Sequence, residues 1–510
     1  MCIRDRIYTF GNNNDVLISK LLFSSSNETP IKHAFGKYLE SINVTHYVIE
    51  KEYVDNDYLE DYASYYATSF GKYEKRCQRI HLFTSKPDFS LAQFETFDLF
   101  IESYFLDPKN INPVKLNSIY LGFIVLRPFN KYKIGRTCIV SYGNNASRFY
   151  FSTRKHSANL FGINLTLETM AFQEQDRTTT ACASIATWSA LQIACKLFQR
   201  KIPSPSSVTK NALSSSISTR KFPNSGLSSE QICTAITSIG LFPYKEAVKS
   251  HKILLSLIYA YGKANLPIIC GMSIYRRKNG KAVKSTKFLH AVTFNGYSTL
   301  DGRKEIFSKN ELRLVSSRIT KLYAHDDQLC PFSRFEVIKN EYIELGNQHV
   351  KFLGTEWSNS FPSKATDENR IAVTESIFIP LHPNIRIHML EIYGTLLQLN
   401  SFISSSSQKL SDFLKEAEWD ITLQDVNKFK NDIFESSLMV TNCKKVDILK
   451  FHFPKYIWKA SAIFDGTIAF DLIFDTTESK DKTGYLFFIA YIKKFTLVSN
   501  VITKFFKRNL

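Results

Sequence analysis

Apolar positions along this chain follow two different periods. Between residues 53 and 67, Tyr53, Leu59, Tyr62, Tyr65 and Tyr66 fall near helical spacing. Tyr120 to Leu126 is instead a continuous apolar run halted by Pro128, which predicts a buried strand. Gly135 to Tyr142, Arg148 to Ser152 and Ile163 to Phe172 predict further short strands, and Gly143-Asn144-Asn145 predicts a turn between two of them. Residues 7–165 therefore read as an α+β region on a mostly antiparallel sheet, with no nucleotide, metal or catalytic motif. An acidic island, Asp55, Asp57, Glu60 and Asp61, reads either as the wet side of its helix or as a partner for a basic face.

The period turns helical again from Ala181 to Gln199, where Ile185, Trp188, Leu191, Cys195 and Phe198 recur every three or four residues. Thr178, Thr179 or Thr180 is placed to cap that helix. A Ser/Pro/Lys-rich stretch, 202–225, predicts a surface loop. Ser228-Ser-Glu-Gln231 has capping-box spacing, and Gly240 ends the helix it opens. A third helix over 251–263 leads into a buried strand, Leu266 to Met272. Lys278-Asn279-Gly280-Lys281 predicts a hairpin turn whose return strand reaches His290. Ile319 to Ala324 predicts one more strand, running into His325-Asp326-Asp327-Gln328.

Residues 341–510 show Phe378 to Pro383 as a first landmark, a helix over 385–402, the serine tract Ser404 to Ser407 and a further helix. Strand-like runs come next at Val446 to His452, Ile457 to Phe464, Thr467 to Phe474 and Tyr485 to Ile492. The fold class is α+β, in three regions: 7–165, 166–340 and 341–510. No internal repeat is visible. The apolar run Tyr485 to Tyr491 is too short to span a bilayer.

Composition changes this picture little. A chain of 510 residues with 44% hydrophobic and 22% charged residues is ordinary globular material for more than one core. The formal charge of +18 admits a nucleic-acid, membrane-surface or acidic-protein partner, although no Lys/Arg run is long enough to make it more than a basic surface. Nine cysteines, widely spaced and without Cys-x-x-Cys, argue against a disulfide scaffold and a structural zinc site. Reduced thiols in a cytoplasm are expected, and no cofactor is. No secretory signal is visible. The first six residues, Met-Cys-Ile-Arg-Asp-Arg, read as foreign to the rest of the chain, so the natural start is expected to differ.

Chemistry concentrates on Cys182, which stands where a helix begins. A thiol attacks as thiolate, and a helix N-terminus and a neighbouring imidazolium both favour that anion. His290, opening the strand-like run His290-Ala-Val-Thr-Phe294, is the candidate base. A third group must orient it, and a carboxylate at the end of the adjacent strand can do so. Asp326 and Asp327 are favoured, and only one of two consecutive residues in an extended chain can face His290. Asp301 and Asn295 are the runners-up. An oxyanion needs a side-chain amide beside the nucleophile's own N–H, for which Gln175 is the candidate and Gln173 the reserve.

This order of elements resembles the papain-like cysteine peptidases, above all the double-glycine, bacteriocin-leader-processing branch, family thirty-nine. Gln175 precedes a cysteine that opens an Ala-rich helix, and Gly226 to Gly240-Leu241 resembles that family's second helix and turn. Leu266 to Ile269 resembles its next strand, His290-Ala-Val its histidine strand, and the later Asp its Asp-Pro site. The match covers roughly a third of the chain. Six residues separate Gln175 from Cys182 where the family has five, Ala183 replaces a common Gly, and Asp-Asp-Gln replaces Asp-Pro. The resemblance implies a central papain-like domain between two α+β regions, acting as a cytoplasmic bacterial thiol hydrolase on an amide bond in a peptide or protein. It implies no bacteriocin-exporter role.

Alternatives stand beside this reading. A deamidase, transglutaminase or acyltransferase would use the same triad, and an inactive papain-like scaffold would bind protein or nucleic acid instead. His325, Asp326 and Asp327 could ligate a metal only against the alternation of a strand. The basic stretch Tyr275 to Lys287, with Arg276, Arg277, Lys278, Lys281, Lys284 and Lys287, is either a solvated hairpin tip or a recruiter of an acidic substrate. Asp465, Asp471 and Asp475 read either as a carboxylate site, with Asp471 and Asp475 on one strand face, or as strand-end residues beside a polar turn; Cys195, Cys233 and Cys270 read as core thiols, and Trp188 as a core anchor.

Overall fold

The structure is a computed structural model. It describes residues 8–12, 22–23, 29–69, 71–84, 113–129, 131–143, 147–176, 180–214, 226–279, 281–300, 311–355, 369–406, 416–478, 484–495 and 498–508. The protein is α+β, as its patterning implies. It divides into two compact units that interleave along the sequence. The first holds Met1–Val248, Pro267–Ser298 and Thr320–Pro380, and the second Lys249–Leu266, Thr299–Ile319 and Leu381–Leu510. These boundaries do not coincide with residues 165 and 340. The third helix expected in the central region, His251–Gly262, belongs to the second unit.

The first unit opens with an antiparallel meander of β1 (Tyr8–Asn12), β2 (His46–Tyr53), β3 (Cys77–Phe83), β4 (Tyr120–Leu126) and β5 (Ile134–Ile139), each paired with the next. Every residue of β4 is buried, because both faces of the sheet are covered. On one face, α1 (Pro30–Ser41) packs Phe35, Tyr38 and Leu39 against Tyr47, Ile80, Leu82 and Ile124. On the other, Val48, Phe83 and Tyr120 meet α3 (Pro113–Ile119) and the hairpin β7–β8 (Arg154–Leu160, Ile163–Thr169). Gly122 takes φ +123°, and a Cβ there would lie 2.0 Å from the Cys138 carbonyl oxygen, so only glycine fits.

The acidic island is used internally. Asp55 caps α2 (Asn56–Ser64) and pairs with Arg136 at 2.7 Å. Asp61 accepts from Ser206 N–H and Glu60 from the Ser207 hydroxyl, at the start of α5 (Pro205–Leu213). That helix corrects the loop expected over 202–225. Ser204 caps it and Pro205 sits in its first turn, a start signal outweighed in the sequence by its Ser/Pro content. Residues 215–225 lie outside the described residues.

Beyond α4 (Cys182–Leu197) and α6 (Ser229–Thr237), the chain builds a sheet that closes on itself. Its strands are β10 (Ile268–Lys278), β11 (Lys281–Thr299), β12 (Ile319–His325), β13 (Ser333–Val337), β16 (Leu353–Thr355) and β17 (Asn369–Leu381). Pairing runs β10–β17–β16–β13–β12–β11 and returns from β11 to β10, a six-stranded barrel. Short additions join it. β6 (Arg148–Tyr150) pairs with β11, β9 (Phe242–Ala247) with β17, and the ribbon of β14 (Ile343–Leu345) and β15 (Gln348–Val350) with the start of β11. The β10–β11 hairpin turns where the Asn-Gly signal lies, with Lys278 opposite Lys281 and Asn279 at φ +49°. Ion pairs to Glu341, Glu344 and Glu375 engage Arg277, Lys281 and Lys287, half of the cations named on that hairpin.

The second unit has a sheet ordered Arg313–Leu314, Glu418–Asp425, Tyr456–Phe464, Thr467–Asp475 and Tyr485–Ala490. Helices His251–Gly262, Met389–Ser406, Val426–Glu435 and Val498–Arg508 accompany it. Lys445–Lys450 is helical, which corrects the strand expected over Val446 to His452. Only Ile448 is buried there, and six residues are too few for periodicity to separate helix from strand. Asp471 accepts from the Tyr491 hydroxyl and Asp475 from Thr477, so both are structural. Among the described residues no helix is long and apolar enough to cross a membrane.

Candidate active site

The site is built where α4 meets the barrel. Every residue from Ala183 to Cys195 is buried, with Trp188 fully so, which fixes α4 as a core helix of the first unit. The Thr293 hydroxyl of β11 donates to the Ala186 carbonyl of α4 at 2.6 Å and ties the two elements together. Cys182 is the first residue of α4 and remains partly exposed. The helix starts one residue later than the periodicity suggests. Ala181 is its N-cap, and no side chain caps it. Thr180, one of the three expected caps, bonds instead to Asp176 through its N–H (2.9 Å) and its hydroxyl (3.3 Å). Thr178 and Thr179 lie outside the described residues. Without a side-chain cap, the first-turn N–H groups keep their donors for an anion at the helix start.

His290 lies mid-way along β11, opposite Met272 of β10, and its side chain is sealed from solvent. Its Nε2–H donates to Asp326 Oδ1 at 2.9 Å. The Cys182 thiol lies close enough to act on the same ring. Burial alone would push the imidazole's pKa down. The Asp326 carboxylate, by charge and by hydrogen bond, and then Cys182, overcome this and hold it well above 6.5. Among the candidates from the sequence, the structure thus brings together Cys182, His290 and Asp326.

Asp326 is the carboxylate bonded to His290. β12 ends at His325 and the chain turns, with Leu329 N–H donating to the Asp326 carbonyl and Gln328 N–H to Asp326 Oδ1 at 3.0 Å. Asp327 lies beside it with both oxygens buried and without a hydrogen bond among the described residues. Burial, with Asp326 and Glu174 acting against His290, pushes its carboxyl up to about 8, so it is neutral at pH 7. Of the two adjacent carboxyls, Asp326 has N–H donors and Asp327 has none among the described residues. Asn295 serves His325, not His290. Its amide donates to His325 Nδ1 at 3.1 Å, while Nε2–H of that ring donates to the Met170 carbonyl. Burial pulls His325 down to about 4, a neutral structural histidine. Asp301 lies outside the described residues.

Gln175 and Gln173 are both buried on the segment before Cys182, and the Gln173 amide nitrogen has no hydrogen-bond partner among the described residues. The Gln173 amide therefore has a donor to offer. Gln328 escaped the sequence reading. Its amide flanks His290 Nδ1 at 3.4 Å, and the only signal was its place two residues beyond Asp326.

His290, Asp326 and Asp327 bring ligand atoms within 4.8 Å of one another, a different trio from the His325 set weighed from the sequence. A cation there requires a neutral imidazole, which the Asp326 carboxylate opposes, and an ionised Asp327, which burial opposes. The arrangement suits proton transfer better. Cys195 and Cys270 are buried, and burial raises both thiols, to about 12 for Cys195. No protein-family model and no curated relative matches this chain.

Proposed function

We propose that this protein is a papain-like thiol hydrolase acting on an amide bond in a peptide or protein. One observation carries the reading. A partly exposed cysteine at an uncapped helix start shares an imidazole with a buried carboxylate. Cys182 is the nucleophile, and with His290 it forms a thiolate–imidazolium pair. The thiolate attacks the carbonyl carbon. The oxyanion meets the Cys182 N–H and a glutamine amide, Gln175 or Gln173. The imidazolium then protonates the leaving amine, leaving an acyl-enzyme and a neutral ring. Water, deprotonated by His290, attacks the thioester and regenerates the thiol. Asp326 holds the ring with Nε2–H inward and stabilises its charged form. A helix bearing the thiol against a barrel bearing the base and its orienting carboxylate supports the papain-like assignment. Free thiols throughout the described residues fit a cytoplasmic setting.

Labelling with an epoxysuccinyl thiol probe tests this. Wild type is expected to label at Cys182 by peptide mapping, Cys182→Ala to lose the label, and His290→Ala to label at least about tenfold more slowly while remaining folded. Equal labelling of all three proteins sinks the nucleophile assignment.

A further inference from the structure

We propose that a second site, in the β3–β4 region of the first unit, binds a small polyanion carrying a planar ring, the chemical class of a nucleoside phosphate. The cavity measures about 880 Å³, within the range of small-molecule sites. Six cations line it, Lys51, Lys72, Arg76, Arg127, Lys131 and Lys133, against three acidic side chains, Glu52, Glu74 and Asp176. Two of those acids are already engaged. Glu52 pairs with Arg76, and Asp176 accepts from the Tyr66 hydroxyl at 2.7 Å and from Thr180. Among the described residues, no ion pair engages Lys51, Lys72, Lys131 or Lys133.

Arg127 distinguishes this cavity from a merely basic surface. It is 3% exposed, and its Nη2 donates to the carbonyls of Tyr132 and Glu174. Its Nε and Nη1 are buried without a hydrogen-bond partner among the described residues, and Nη1 stands 3.9 Å from Asp176. Buried N–H groups of a charged side chain are costly to leave unmet. Phosphate oxygens satisfy a guanidinium in that geometry, and the lysines supply charge for more than one phosphate group.

The aromatic side chains argue for a ring on the ligand. Tyr73 is 37% exposed and Phe129 half-buried, both on the cavity wall. Tyr66 packs behind them, with ring centroids 4.8 Å from Tyr73 and 4.9 Å from Phe129. Rings presented beside cations match a planar base joined to phosphates. This site is independent of the thiol chemistry proposed above, although Asp176, on its wall, also holds Thr180, two residues before Cys182.

Isothermal titration calorimetry on the full chain, at about 0.15 M salt to screen surface charge, tests the proposal with ATP, inorganic triphosphate and adenosine. ATP is expected to bind, triphosphate to bind about tenfold more weakly, and adenosine not to bind at the same concentrations. Lys72→Glu with Lys131→Glu, both exposed, is expected to weaken ATP at least about tenfold. Tyr73→Ala is expected to reduce ATP to the affinity of triphosphate. Lys428→Glu with Lys450→Glu makes the same charge change on exposed positions of the second unit and is expected to leave ATP binding intact. Absence of ATP binding, or equal loss in the two lysine pairs, overturns the site. Equal affinity of wild type for ATP and triphosphate overturns the ring contact.

Discussion

Asp326→Asn isolates the electrostatic role of the carboxylate, because it keeps shape and an acceptor oxygen while removing one charge. The 2.9 Å contact between His290 Nε2 and Asp326 Oδ1 is fully buried on both sides. Unit charges with centres about 4 Å apart interact by roughly 4 kcal/mol at an effective dielectric of about 20. Removing that charge takes away the main influence that raises the imidazole's pKa, so the pKa is expected to fall. Burial, the opposing influence already present, then dominates and favours the neutral ring. Without imidazolium, the thiolate proposed for Cys182 loses its counter-charge. The assay is the rate of Cys182 alkylation by iodoacetamide, followed by intact mass and peptide mapping between pH 5 and 9. Wild type is expected to alkylate readily at pH 6, and Asp326→Asn about 10- to 1,000-fold more slowly, with the difference closing toward alkaline pH. Thermal unfolding of the variant checks that its fold is retained. A folded Asp326→Asn protein with the wild-type rate at pH 6 would refute the ion-pair reasoning.

Asp327 offers a stability test at the neighbouring position. Its folded carboxyl is raised to about 8, so between about pH 4 and 8 the folded chain holds a proton that the unfolded chain has released. Its contribution is fully present below about pH 4 and is lost as pH rises through 8. Asp327→Asn is therefore expected to gain on wild type by about 1.4 kcal/mol per pH unit across pH 5–7 in urea denaturation, and a pH-independent difference would exclude the buried neutral carboxyl. Gly122→Ala meets the Cys138 carbonyl at 2.0 Å and a φ of +123°, and is expected to cost about 2–6 kcal/mol by the same measurement. A loss under about 1 kcal/mol would show that β4 and β5 can separate there.

Local rules made much of the architecture legible. The capping box at Ser228 and Gln231 forms as its spacing implies, with the Ser228 side chain accepting from Gln231 N–H and the Gln231 side chain accepting in return. The Asn279-Gly280 signal lies at the turn where Lys278 faces Lys281, and the all-apolar run Tyr120–Leu126 is a strand buried on both faces. Failures occurred where two local signals competed. Ser204-Pro205 was a helix start inside a loop-like composition, and Val446 to His452 was too short for its period to decide. Thr180 was a sound cap by type, but Asp176 bonded it first.

The sequence by itself determined that a cysteine opens a buried helix and that a histidine lies on a strand after a tight hairpin. Those properties depend on spacing and turn residues within a few positions of chain. Only the tertiary structure decided that Cys182, His290 and Asp326 share one ring of contacts, because their meeting requires β10, β11 and β12 to pair within a closed barrel against α4. It also decided between two adjacent aspartates. Asp326 receives N–H donors from the turn and from His290, while Asp327 receives none, a difference in surroundings that residue type and order do not encode. The same holds for Arg127, whose unsatisfied N–H groups arise from how the sheet, the loop after β4 and the segment before Cys182 enclose it.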